Sequence, residues 1–187
     1  MDIQGIIESY YTFLFMSSYP SEEEIEAILS VVPCRVTSEM NNSFLLPFVE
    51  NEVKEAVFSM PSDKSLGEDC MNGMFYQNYW NDIGNVVIKA VLEYLNGQGD
   101  MSSINSTIVT LVPKTKAANN MKDFRPISLC NVLHKIVSTV WVHRLQPWLD
   151  SIIHSSQSAF IGGRRITNNA MVAYELLYNL RGVTTRR

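Results

Sequence analysis

An α+β fold in which helices outnumber strands and flank one short two-stranded hairpin is what this sequence predicts. Two observations carry that expectation. Apolar side chains recur at helical spacing through most of the chain, and a single stretch, Thr107 to Asn131, sets a β-branched apolar run and a second apolar run on either side of a polar turn. A third observation limits the architecture. The 187 residues hold no repeat and no low-complexity tract, and that length fits one domain, or one domain with a small appendage, around a sizeable core.

Residues 2–16 place Ile3, Ile6, Ile7, Tyr10, Tyr11, Leu14 and Phe15 at helical steps, so an amphipathic helix is expected, ended by Tyr19-Pro20. Ser21 followed by Glu24 is a capping box. Glu22, Glu23 and Glu24 occupy a first turn whose dipole favours anions, which predicts a second helix over residues 22–31. Consecutive glutamates point in different directions around a helix, so the run reads as a cap and not as a metal site. Residues 33–47 show no periodic face and read as a linker. Val49, Val53, Val57 and Met60, with Ala56 between them, predict a helix over 50–60 closed by Pro61 and Ser62. Met74, Phe75, Tyr79 and Trp80, then Ile83, Val86, Val87, Ala90, Val91, Tyr94 and Leu95, predict two successive helices ending at Asn96-Gly97, their aromatic stripe in the core.

The hairpin follows. Ile108, Val109, Leu111 and Val112 form its first strand, which Pro113 stops because proline cannot donate to a ladder. Lys114, Lys116, Lys122 and the turn-forming pair Asn119 and Asn120 make the connection. Phe124, Ile127 and Leu129 make a second strand interrupted by Pro126. Lys114 at the exit of one strand and Arg125 in the next suit a phosphate, one as a point charge and the other as a planar fork. Val132, Leu133, Ile136, Val137, Val140, Trp141, Leu145, Trp148 and Leu149 predict a long helix over 132–149 that Pro147 kinks or ends early. Lys135 and Arg144 lie off its apolar face. His134 and His143 read as surface or capping residues, since no carboxylate or cysteine joins them at metal spacing. Residues 150–169, with Gln157, Ser158, Phe160, Gly162, Gly163, Arg164 and Arg165, are polar and irregular. A last helix is expected to bury Met171, Val172, Tyr174, Leu176, Leu177 and Leu180 and to stop at Gly182.

Composition excludes some classes. No run of 18 apolar residues spans a membrane, and the N-terminus has no basic segment leading into an apolar one, which predicts a soluble, unsecreted chain. Cys34, Cys70 and Cys130 match no zinc or CxxC spacing and cannot pair off evenly; reduced thiols in an intracellular compartment, used for packing, are expected. The net charge of −4 hides an asymmetry: residues 1–100 carry 16 acidic and 4 basic side chains, residues 101–187 carry 3 and 11. A second half at +8 suits a polyanionic partner, with an ordinary solvated surface as the other reading.

The string LVPKTKAANNMKDFRPISLCNVLHKIVSTVWVHRL, followed by QSAFIGGRRITNN, resembles the fingers region of reverse transcriptases of non-LTR, LINE-class retrotransposons. The ordered blocks are VPK, DFRPISL and QSAF-x-x-GR. Upstream, Lys64, Gly67 and Asp69 match a K-x-P-G-x-D-G segment of that family. Leu66, Glu68 and Cys70 depart from it, and Cys70 replaces a glycine in a turn that is strained if it needs positive φ.

The resemblance implies an incomplete right-hand polymerase domain, residues 48–187, with pre-finger helices at 48–100 and fingers at 101–187, behind a helical extension and linker at 1–47. It implies that Lys114 and Arg125 face the triphosphate of an incoming dNTP, and that Gln157, Gly163, Arg164 and Arg165 lie along the template. RNA template, DNA primer and dNTP are the implied partners, and nuclear residence follows from the resemblance alone. The complete family enzyme uses Mg2+ held by palm carboxylates. The seven aspartates here include no Asp-Asp pair and none in a sequence like the family's catalytic blocks. The expectation is therefore a portion of an RNA-directed DNA polymerase without the palm catalytic strands, inactive alone and binding no metal. A non-catalytic nucleic-acid-binding fragment, a decayed retrotransposon remnant and a helical interaction module remain as alternatives.

Overall fold

The structure, a computed structural model, describes residues 3–97, 99, 100, 102 and 104–184, with side chains described through residue 179 of the last helix. It is mostly helical with one two-stranded sheet. The helices are α1 (Ile3–Phe15), α2 (Glu22–Leu29), α3 (Ser38–Phe44), α4 (Glu50–Ser59), α5 (Gly73–Asn78), α6 (Trp80–Leu95), α7 (Val132–Leu145), α8 (Leu149–Ile152) and α9 (Ile166–Thr184), and strands β1 (Thr107–Pro113) and β2 (Phe124–Cys130) lie between α6 and α7.

The core is where α4, α6 and α7 meet. Val53 and Val57 of α4, Val87 and Val91 of α6, and Val132, Ile136 and Val140 of α7 repeat at steps of four, the spacing that stacks side chains into one ridge. Ala56, Val137, Phe48, Ile104 and Tyr76 from α5 complete it. Valine is a weak helix former, so these helices depend on tertiary burial more than on propensity. Each fully buried aliphatic contributes about 1.5–3 kcal/mol relative to exposure. The side chain of Gln77 closes the end of α4, donating to the carbonyls of Val57 and Met60 at 2.9 Å each.

Several expectations hold. The capping box of α2 is formed, with Glu24 N–H donating to Ser21 Oγ at 3.2 Å and Ser21 N–H to Glu24 Oε2 at 2.8 Å. Gly97 ends α6 at φ +76, a left-handed residue where a helix commonly stops. Pro147 sits at the start of a single tight turn, Gln146–Trp148, and α7 ends before it at Leu145.

Others need correction. Residues 33–47 are not all linker: α3 forms there, its N-terminus capped by Thr37 Oγ1, which accepts from Met40 N–H at 3.2 Å. Pro126 does not interrupt β2; it pairs with Leu111 in an unbroken register from Thr107↔Cys130 to Pro113↔Phe124. In a two-stranded ribbon each strand has a free side, which tolerates a missing donor. Residues 150–169 are helical at both ends, in α8 and α9. The helix α9 runs through Gly182 to Thr184. Its apolar residues Met171, Val172, Tyr174, Leu176 and Leu177 are exposed, because no other described element packs extensively against it, and the Leu180 side chain lies outside the described residues. Helix α1 also forms without burying any residue. Val49, Met74, Tyr79 and Val86 face solvent, and Tyr76 takes the core place expected of its neighbours. Cys34 and Cys70 are exposed free thiols, which removes a packing role for them.

Candidate nucleic-acid interface

Register places the hairpin's cations. Arg125 pairs with Val112 across the ribbon, and Lys114 follows Val112 by two residues, so by the period of two Lys114 and Arg125 share a face as diagonal neighbours near the tip. The pairing continues past β1, since Lys114 N–H donates to the Asp123 carbonyl at 2.7 Å. Ile108 and Ile127 lie on that same face, both exposed. The turn is held from inside by the Asp123 carboxylate, which accepts the N–H groups of Asn119 at 3.2 Å and Asn120 at 3.0 Å. This uses the hairpin's one acidic side chain on its own backbone. Lys114 Nζ donates to the Lys122 carbonyl, which fixes the ammonium beside the turn and leaves two of its three protons for another acceptor. Among the described residues Arg125 is exposed and has no ion-pair partner.

The base of the hairpin is anchored by the loop before α5. Gly67 sits against the junction of β2 and α7 so closely that a Cβ there would lie 2.7 Å from Asn131 N, Asn131 Oδ1 and the Cys130 carbonyl. Asp69 N–H donates to Asn131 Oδ1 at 3.3 Å, Ser106 Oγ to Glu68 Oε2 at 3.1 Å, and Lys135 Nζ to the Ser65 carbonyl at 2.7 Å. The glycine singled out by the motif is therefore needed for close approach. Cys70, in the same loop, has φ +54, the strained conformation expected where a cysteine replaces a turn glycine.

The second cluster surrounds Arg164. Its guanidinium donates to Asp150 Oδ1 at 3.1 Å and to the carbonyls of His154 (2.8 Å), Gln157 (2.8 Å), Asp150 (3.2 Å) and Ile153 (3.3 Å). Its fork is thus engaged within the chain and organises the loop that precedes α9. The Gln157 side chain donates back to the Ala159 carbonyl at 3.4 Å. Gly163 takes φ +78 with open space where a Cβ would stand, and Arg165 projects beside it, exposed and without an ion-pair partner among the described residues.

One cation was not legible as a structural hub. Arg144 lies under the segment 44–48, its guanidinium forked onto Glu52 at 2.6 and 2.9 Å, donating to the carbonyls of Phe44, Leu46 and Pro47, and 3.6 Å above the Phe48 ring. The Arg144 hydrogen bond, aided by the Val49 N–H, holds the Glu52 carboxyl below its ordinary pKa against the opposing effect of burial. Burial, helped by the charge of Asp69, pushes the Tyr76 hydroxyl up. Among the described residues no three His, Cys, Asp or Glu side chains converge on a point that could hold a metal. No described helix is long and apolar enough to cross a membrane.

Comparison with known proteins finds a similarity to a transposon protein. That relative is the uncharacterized 149 kDa protein of transposon TX1 from Xenopus laevis, 30% identical over 178 residues. The match covers 94% of this chain and 13% of the relative's length. No protein-family model matches the chain.

Proposed function

We propose that this chain is the template- and nucleotide-contacting portion of a reverse transcriptase of the non-LTR retrotransposon class, and that it does not polymerise by itself. The observation that carries the reading is the ribbon register, which sets the ammonium of Lys114 and the exposed guanidinium of Arg125 diagonally on one face. The hairpin's only carboxylate is bonded to the turn's own N–H groups, and Lys114, Lys116, Lys122 and Arg125 outnumber it. The similarity to a transposon protein and the basic second half support the same reading. Along the template, Arg165 and the open backbone at Gly163 supply the contacts, while Arg164 and Gln157 shape the loop that presents them. Mg2+ would be held elsewhere in a complete enzyme.

The test is titration of the purified chain with single-stranded RNA at rising salt. Affinity should fall steeply with salt, and Lys114→Ala with Arg125→Ala should reduce the logarithmic salt slope by about 0.7 for each phosphate that is no longer neutralised. Binding that is absent or indifferent to salt overturns the proposal. Magnesium-dependent primer extension by the same preparation should be undetectable, and robust incorporation would contradict the second half of the claim.

A further inference from the structure

Phe160 is the most exposed large apolar side chain described, at 100%, and its backbone sits in the left-handed region at φ +65. Neither feature is expected of a bulky aromatic. Full exposure forgoes the gain that burying such a ring brings, and a left-handed φ is unfavourable for any residue with a Cβ. The backbone on either side of Phe160 is hydrogen-bonded. Two residues before it, Ser158 is buried at 7% exposure, and the carbonyls of His154 and Gln157 are gathered by Arg164. Just after it, Arg164 N–H donates to the Ile161 carbonyl at 3.2 Å, and Gly162 stands where a Cβ would meet Gln146 Nε2 at 3.5 Å. The ring thus projects, fully exposed, from a turn whose flanking backbone is hydrogen-bonded. Gly162 and Gly163 beside it have no side chains to crowd an incoming ring. Arg164 is occupied by the loop, but the next cation along the chain, Arg165, is exposed and without an ion-pair partner among the described residues.

We propose that Phe160 is a stacking platform for one unpaired nucleobase of a single-stranded nucleic acid, with Arg165 neutralising the adjoining phosphate. The chemistry fits the placement: an aromatic face accepts any base in any sequence, and a neighbouring guanidinium supplies the salt-dependent part of the grip. A duplex, whose bases are already stacked, has no use for the ring. The inference rests on the nucleic-acid reading above and adds to it the residue that selects single strands.

The experiment measures binding of labelled single-stranded RNA and of double-stranded RNA of equal length to the full chain and to Phe160→Gly, Phe160→Leu and Phe160→Trp. Removing the ring should weaken single-strand binding roughly 5- to 100-fold and leave duplex binding unchanged. Leu keeps apolar bulk without a π face, so it should behave like Gly, whereas Trp should bind at least as tightly as Phe. Phe160→Gly also relieves the positive φ, so its Tm should hold or rise while affinity falls, which separates loss of stacking from loss of fold. Arg165→Ala should lower the salt slope, and the Phe160 variants should not. The inference is overturned if Leu matches Phe, if duplex binding falls in parallel, or if Phe160→Gly binds single strands normally. In that last case steep salt dependence of the parent chain leaves the nucleic-acid reading standing, whereas a parent chain that binds no RNA ends both.

Discussion

Arg144 in the helical core and Arg125 in the hairpin carry the same guanidinium and meet opposite surroundings. Arg144 has a bidentate carboxylate, three backbone carbonyls and an aromatic face around it, contributed by segments far away in sequence. Arg125 faces solvent across from Val112. The contrast repeats at the neighbours Arg164 and Arg165, one enclosed by five acceptors and one exposed. A cation's role is decided by what the rest of the fold brings to it. Where carbonyls and carboxylates converge, the arginine is a fastener; where none do, its charge is available to a partner.

Replacing Arg144 with Ala should break that contrast most severely. It strands Glu52 and leaves the carbonyls of Phe44, Leu46 and Pro47 without their donor, and because Glu52 retains 26% side-chain exposure the cost should be about 2–3 kcal/mol, below that of a fully buried pair. Arg125→Ala should change stability by less than about 0.5 kcal/mol. Denaturant unfolding checks both, and equal losses at the two sites would erase the distinction between fastener and free charge.

Gly67→Ala tests whether hairpin and core are mechanically joined. A methyl group 2.7 Å from backbone atoms of Cys130 and Asn131 forces the loop or the β2–α7 junction to move, at about 1–3 kcal/mol. Amide exchange should quicken at the foot of the ribbon before it does in α6. Unchanged exchange there would mean that the loop shifts freely and anchors nothing.

Acid sharpens the comparison from another side. The folded-state pKa of Glu52 is lowered, so its contribution to stability is complete above the unfolded value and is lost as pH falls through the folded one. Stability should therefore decline below roughly pH 4.3, the ordinary glutamate value. Arg144→Ala should show a shallower decline over that window. Parallel curves would place the acid sensitivity in other carboxylates.

Periodicity locates the core helices well, because the step of four that joins Val53 to Val57 and Ile136 to Val140 is a local property of the chain. The same logic fails on α9, where Met171, Val172 and Leu176 define a face that nothing in the described structure covers: spacing reports which residues share a side, not whether a partner exists. Helix α3 escapes it although Thr37 before Ser38 and Glu39 carries a start signal, since a seven-residue helix has too few apolar positions to show a period. At the hairpin, the placement of Lys114 and Arg125 is readable from alternation once the register is known. The engagement of Arg164 and Arg144 is not, because their acceptors are mostly backbone carbonyls, which every residue possesses and no motif advertises.

A smaller effect than those of Arg144→Ala and Gly67→Ala is expected at Cys70, where sequence and structure agree on a local misfit. Its φ of +54 lies where a Cβ crowds the backbone, its side chain is exposed, and its thiol makes only a weak hydrogen bond to the Glu68 carbonyl, at 3.8 Å. Substitution by Gly removes the crowding and loses almost no packing. Against this, Gly gives the unfolded chain more freedom, which offsets part of the gain. The net should be a stabilisation of about 0.5–1 kcal/mol, visible as a small rise in Tm, and it should add to the effect of Arg144→Ala because the two side chains bond to different segments of the chain. If Cys70→Gly instead destabilises the chain, the left-handed turn is held by the cysteine side chain itself, and the loop that anchors the hairpin is adapted to this residue.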